Sequence, residues 1–131
     1  MSDRYKLKTY GQLLWTQAAF KCEDRDLFIT ARLLIDTGAS YTCLSQHFIQ
    51  SITDNPKSIR QQSIQTASQQ LTVPVIAIPR LNCLGKQLDC FPIVAIPLPK
   101  NSYAQGLLGM DFLRQYGALI DIDRSELIIT K

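Results

Sequence analysis

The stretch from Leu27 to Ile35 limits what this chain can become more than any other. Leu27, Ile29, Ala31, Leu33 and Ile35 fall on one side of a period-two pattern, with Thr30 and Arg32 on the other. That pattern specifies a strand with one buried face. Asp36, Thr37 and Gly38 follow it directly, and this order of apolar strand, carboxylate, hydroxyl and glycine occurs once in 131 residues. A carboxylate at the mouth of a buried strand is costly to keep charged without partners. The glycine two residues on permits a backbone approach that a side chain would block. The turn after this strand is the one passage that reads as chemistry.

Composition sets the frame. With 131 residues, 46% of them hydrophobic, the chain suits one domain with a sizeable core. A net charge of +3, spread without any block of like charges, gives no footprint for nucleic acid. No apolar run approaches the roughly 18 residues of a membrane span. The polar stretch Met1-Ser2-Asp3-Arg4-Tyr5-Lys6 lacks the apolar centre of a secretion signal, so the expected compartment is the cytoplasm. Cys22, Cys43, Cys83 and Cys90 form no Cys-x-x-Cys pair and accompany a single histidine, so no metal site is expected. Cys83 and Cys90 flank an expected turn at Leu84-Gly85-Lys86-Gln87 and would face each other across it, with free thiols the simpler reading.

Further along, Tyr41 to Leu44 is again strand-like, and Ser45 can cap a short helix to about Ser51. Ser58–Thr66 and Leu71–Ile78 read as a hairpin turned at Ala67-Ser68-Gln69-Gln70, with Pro74 marking an edge or a bend. Leu88–Leu98 is apolar on both faces and reads as a central strand. Gly109 opens a short helix from Met110 to Tyr116, and Ala118–Ile122 with Glu126–Lys131 make a last hairpin. The result is an all-β chain, closed or sandwiched, with one or two short helices. Residues 1–26 read as a polar leader with a first strand, and 27–131 as the domain proper.

Two separated motifs then agree. Ile35-Asp36-Thr37-Gly38-Ala39-Ser40 resembles the active-site turn of retropepsin-like (retroviral-type) aspartic proteases. Gly106-Leu107-Leu108-Gly109-Met110-Asp111-Phe112-Leu113 is similar to their second signature, two apolar residues and a glycine before a short helix. A β-hairpin lies between them where the family has its flap, and the likeness is greatest to small bacterial-type members. The resemblance implies a half-enzyme of retropepsin-like fold, working as a homodimer on extended polypeptides without cofactor or metal. Asp36 would be the catalytic carboxylate, because such chemistry needs two carboxylates sharing one proton and this chain supplies one. Thr37 would bond across the dimer axis and, with Gly38, support the turn. Gly38, Ala39 and Ser40 would line the peptide cleft, Ala67 and Ser68 would meet the peptide from the flap, and Leu108 would help form a side-chain pocket. Gly109 would allow close packing behind the turn. The absence of glycine from the hairpin tip departs from the retroviral pattern.

Other chemistries fit less well. His47 reads as a surface helix residue, and no Gly-x-Ser-x-Gly elbow serves a serine hydrolase. Cys43 and His47 are poorly placed as a thiol pair. Asp-x-Gly-x-Ser also opens the actin-related ATPases, but those need a far longer chain. Asp111 suits the dipole of its helix, and Asp121 and Asp123 read as solvent-facing. The standing alternative to a protease is a non-catalytic dimeric module that binds peptides or assembles. Two further expectations are self-cleavage before about Leu27, and a terminal strand, Glu126–Lys131, free to pair with a second copy.

Overall fold

The strand specified by the Leu27–Ile35 alternation forms as β4 (Phe28–Ile35), with Ala31 and Leu33 buried beneath it. A computed structural model describes residues 2–131. Before β4 come β1 (Asp3–Lys6), β2 (Lys8–Tyr10) and β3 (Leu13–Lys21). After it come β5 (Cys43–Ser45), α1 (Gln46–Ile52), β6 (Ser58–Gln65), β7 (Gln70–Cys83) and β8 (Lys86–Ile96). The chain closes with β9 (Gly106–Leu108), α2 (Met110–Gln115), β10 (Leu119–Asp121) and β11 (Glu126–Ile129).

Eight strands form one sheet in the order β2-β3-β4-β9-β5-β8-β7-β6, and an extra pairing of Ala19 with Asn82 and Phe20 with Leu81 curls β3 onto β7. A three-stranded sheet, β1-β11-β10, completes the body. The fold is all-β with two short helices. The principal core lies on one face of the curled sheet and includes Phe20, Leu33, Leu44, Ile78, Leu81, Ile93 and Leu108, closed by Phe112 of α2 and by Leu127 and Ile129 of β11. Ser45 caps α1 as its chemistry requires, its hydroxyl accepting from the Phe48 amide at 3.0 Å.

Several expectations need adjustment. Residues 2–26 do not stand apart as a leader: β3 pairs with β4 from Trp15↔Leu34 to Lys21↔Phe28, and Leu7, Ala18, Phe20 and Cys22 are buried. Thr16, Ala18 and Phe20 share the buried side, a period-two signal blurred in the sequence because Thr16 within it is polar and Ala19 beside it is apolar. A cut before Leu27 would sever β3 from its neighbour.

β11 is not a free edge either. It lies between β1 and β10 of its own chain, with Asp3 opposite Ile129 and Leu119 opposite Ile128. Pro74 sits in an interior strand, yet β8 pairs with β7 only from Val75 onward, so at Pro74 the sole neighbour is β6.

The β7–β8 hairpin turns tightly at Leu84 (φ 49°) and Gly85 (φ 75°), the two-residue geometry that matches strand twist. Cys83 therefore faces Lys86, whereas Cys90 stands beside Pro79, four residues or about 13 Å up the partner strand. The two thiols do not meet, and all four cysteines are free.

Candidate active site

Asp36 stands where β4 ends, and the strand order explains its setting. β9 lies between β4 and β5, parallel to the first and antiparallel to the second. The chain from β4 to β5 must therefore loop over the end of β9, and Asp36-Thr37-Gly38 forms that loop. The Asp36 amide donates to the Leu108 carbonyl at 3.0 Å, continuing the β4–β9 ladder, and Ala39 N–H donates to the Asp36 carbonyl at 3.2 Å. One Asp36 carboxylate oxygen accepts from the Gly38 amide at 2.9 Å. A side chain on Gly38 would crowd that oxygen at 3.2 Å. Thr37 is exposed, and its hydroxyl has no partner among the described residues.

The loop is fixed from behind by α2. Met110 N–H donates to the Ala39 carbonyl at 2.8 Å and Asp111 N–H to the Ser40 carbonyl at 3.2 Å. Gly109 packs so closely that a Cβ there would lie 2.6 Å from the Tyr41 carbonyl carbon and 2.9 Å from the Ala39 oxygen. This is the close packing that the family resemblance implied for this glycine. Asp111 does more than suit the helix dipole. Its carboxylate accepts from the Thr42 amide at 3.0 Å, the Thr42 hydroxyl at 2.7 Å and the Phe112 amide at 2.8 Å. The fully buried Thr42 hydroxyl in turn accepts from the Gly109 amide at 3.1 Å. One charged side chain thus ties the Asp36 loop, the start of β5 and α2 together across 69 residues of sequence.

In front of Asp36 opens a cleft of about 570 Å³ between the loop and the β6–β7 hairpin. Asp36, Gly38, Ala39 and Ser40 line it on the loop side. Opposite, the hairpin gives Ser63, Ile64, Gln65, Thr66 and Leu71, and the floor is Cys43, Ile96 and Leu107. A second apolar cluster of Cys43, Val73, Val75, Val94 and Ile96 underlies the cleft, apart from the main core. Burial pushes the Cys43 thiol up to about 11, with Asp111 and Asp36 adding to the effect, so it remains protonated beside the loop.

Three expected cleft residues are placed elsewhere. Leu108 is 0% exposed and belongs to the main core, so it cannot form a substrate pocket; strand alternation gives that position to Leu107. Ala67 and Ser68 lie at the exposed hairpin tip, outside the cleft lining, which ends at Thr66. Without glycine the tip is tied by Thr66, whose amide and hydroxyl both donate to the Gln69 carbonyl at 2.8 Å, while Gln69 N–H returns to the Thr66 hydroxyl at 3.1 Å. Among the described residues, no three His, Cys, Asp or Glu side chains are grouped to hold a metal, and no helix is long and apolar enough to cross a membrane.

Loop, cleft and hairpin together define a protein of the retropepsin type. Residues 29–115, well over half the chain, match the family described as gag-polyprotein putative aspartyl protease, and the chain belongs to that family. Among solved structures it is similar to a retropepsin-like aspartic protease from Rickettsia conorii (TM-score 0.62, 17% identity, covering 98% of this chain and 90% of that one). It is also similar to the retroviral protease-like domain of Ddi1 from Leishmania major (TM-score 0.62, 13% identity, 89% and 87% covered). A Legionella pneumophila protein of unknown function shares the fold more loosely (TM-score 0.50, 17% identity, 86% and 91% covered). At these identities the likeness is one of fold. No curated protein matches the sequence.

Proposed function

We propose that this chain is an aspartic endopeptidase whose active site forms when two copies meet about a twofold axis, each contributing Asp36. The observation that carries this reading is the state of the loop in a single chain. Asp36 faces a peptide-sized cleft with one oxygen held by a backbone amide, and the exposed Thr37 beside it lacks a partner. A second copy would supply both the other carboxylate and a mate for Thr37.

Two carboxylates so close share one proton and titrate as a pair. The ionised member takes a proton from a water held between them, and that oxygen attacks the peptide carbonyl carbon. The protonated member gives its proton to the carbonyl oxygen. The tetrahedral intermediate then collapses as the amide nitrogen is protonated and the carbon–nitrogen bond breaks. The substrate is an extended polypeptide held through main-chain hydrogen bonds beside Gly38, Ala39 and Ser40, with an apolar side chain over Leu107 and Ile96. Ala67 and Ser68 reach it only if the hairpin tip descends. Four unpaired thiols suit a reducing, cytoplasmic setting.

The test is hydrolysis of an unstructured peptide library between roughly pH 4 and 7, where a carboxylate pair can share a proton. Wild type should cleave, with inhibition by a statine-type compound, and Asp36→Asn should not. Peptide binding by both forms with hydrolysis by neither would make the chain a non-catalytic dimeric binding module instead.

A further inference from the structure

We propose that the peptide cleft continues along the same sheet face into a cationic aromatic shelf, which selects an acidic side chain three to four residues from the bond next to Asp36. The proposal rests on reading the cleft as a peptide site and adds what that site prefers. Residues directly opposite in adjacent strands point to the same side of a sheet. Trp15 is opposite Leu34, Leu34 is beside Leu107, Leu107 is opposite Cys43, and Cys43 is beside Val94. One row of side chains therefore crosses five strands on the outer face, with the cleft floor at one end and Trp15 at the other.

The Trp15 end carries charge. Tyr10 and Tyr103 stack with centroids 3.8 Å apart and planes 7° from parallel, and Trp15 meets Tyr103 edge-on at 5.8 Å. The Arg32 guanidinium lies 4.4 Å from the Tyr103 centroid and 5.9 Å from that of Trp15, and the Lys8 ammonium lies 5.4 Å from the Trp15 ring. Arg32 spends its Nε on the Tyr103 carbonyl at 2.7 Å. Its terminal nitrogens have no other hydrogen-bond partner among the described residues. The described ion pairs join Arg4 to Glu126, Arg80 to Asp89 and Arg124 to Asp121, and none involves Arg32 or Lys8. Beneath them the Trp15 indole N–H is buried without an acceptor.

A solvated surface accounts for one free lysine. It does not account for a half-buried arginine held by aromatic faces, sharing Trp15 with a second cation, and with no ion-pair partner among the described residues. Aromatic contacts fix both cations where they can act on a ligand with little further ordering. Arg32 precedes Asp36 by four residues on β4, about 13 Å, which an extended peptide spans in roughly four residues. The group that complements the shelf is a carboxylate, an Asp or Glu of the substrate.

Trp15 is the chain's one tryptophan, so its emission reports shelf occupancy independently of catalysis. Non-cleaving Asp36→Asn protein would be titrated with paired peptides that differ only in Glu or Gln at the third or fourth residue from the central bond. The Glu peptide should bind about tenfold tighter and shift the emission, an advantage that shrinks with added salt. Arg32→Gln should erase the difference while leaving the Gln peptide unaffected. Lys8→Gln, at an exposed position that does not threaten folding, should reduce it. Equal binding of both peptides in the Asp36→Asn parent and in Lys8→Gln would overturn the shelf and leave it a clasp for the loop before β9, with the protease reading intact. If neither peptide bound at all, the peptide cleft itself would be in error and the shelf would fall with it.

Discussion

Leu107 and Leu108 are chemically identical neighbours with opposite duties, because one strand step turns a side chain from the core to the cleft. Leu108→Ala empties a fully buried site and should cost about 2–5 kcal/mol in a urea titration, with peptide affinity retained in the fraction that stays folded. Leu107→Ala should cost well under half as much stability and raise KM for peptides with a large apolar side chain at the cleavage site. A reversal of these two outcomes would mean that β9 faces the other way. The buried thiols give a second check. Cys43 and Cys83 are pushed up from 9.0 to about 11 and about 12, chiefly by burial. Below pH 9 both folded and unfolded chains keep these protons, and stability is insensitive to them. As pH climbs from about 9 through 11 to 12 the unfolded chain loses its protons first, so unfolding is favoured and stability falls. The urea midpoint should decline across that window, and Cys83→Ala should flatten the decline in part, since Tyr116 is raised in the same direction. An unchanged slope in the variant would contradict the assignment.

At the scale of elements, the β6–β7 hairpin is the part that departs most from a mobile glycine-rich lid. Its tip is tied by side-chain and main-chain bonds between Thr66 and Gln69, so the hairpin should move as one stiff unit about its base near Pro74. Thr66→Val removes the side-chain ties, each worth about 0.5–1.5 kcal/mol. Hydrogen exchange at the Gln69 amide should accelerate while that of the β8 amides stays constant. Equal acceleration in both would show that the tip is not an independent unit. The elements whose signals are local were legible in the sequence: β4 by alternation, α1 by its Ser45 cap, and α2 by the glycine before it. The loop motif at Asp36 was legible for the same reason, since strand, carboxylate and glycine adjoin. What escaped depends on contacts far apart in sequence. Nothing near Asp111 says that it meets Thr42, nothing in Glu126–Ile129 says that β1 covers it, and Leu-Leu does not say which leucine faces in. The aromatic shelf assembles from four separate segments and leaves no motif.

For the whole molecule, the proposed dimer sets a rule on concentration. If each active site takes one Asp36 from each of two chains, activity per chain should fall on dilution below the dimer dissociation constant, in step with the loss of dimer by sedimentation. Activity per chain that stays constant through that range would contradict the shared site. The monomer should not unfold in the process. β1 and β11 pair within one chain, and Leu127 and Ile129 seal the main core without help from a second copy. Circular dichroism should therefore be unchanged in the dilute, inactive samples. Folding and assembly then become separable events: a lone subunit is a finished, silent part rather than a molten one. A cell holding such a protein at low abundance would keep an inert reserve, switched on by crowding or by anything that brings two copies to one place.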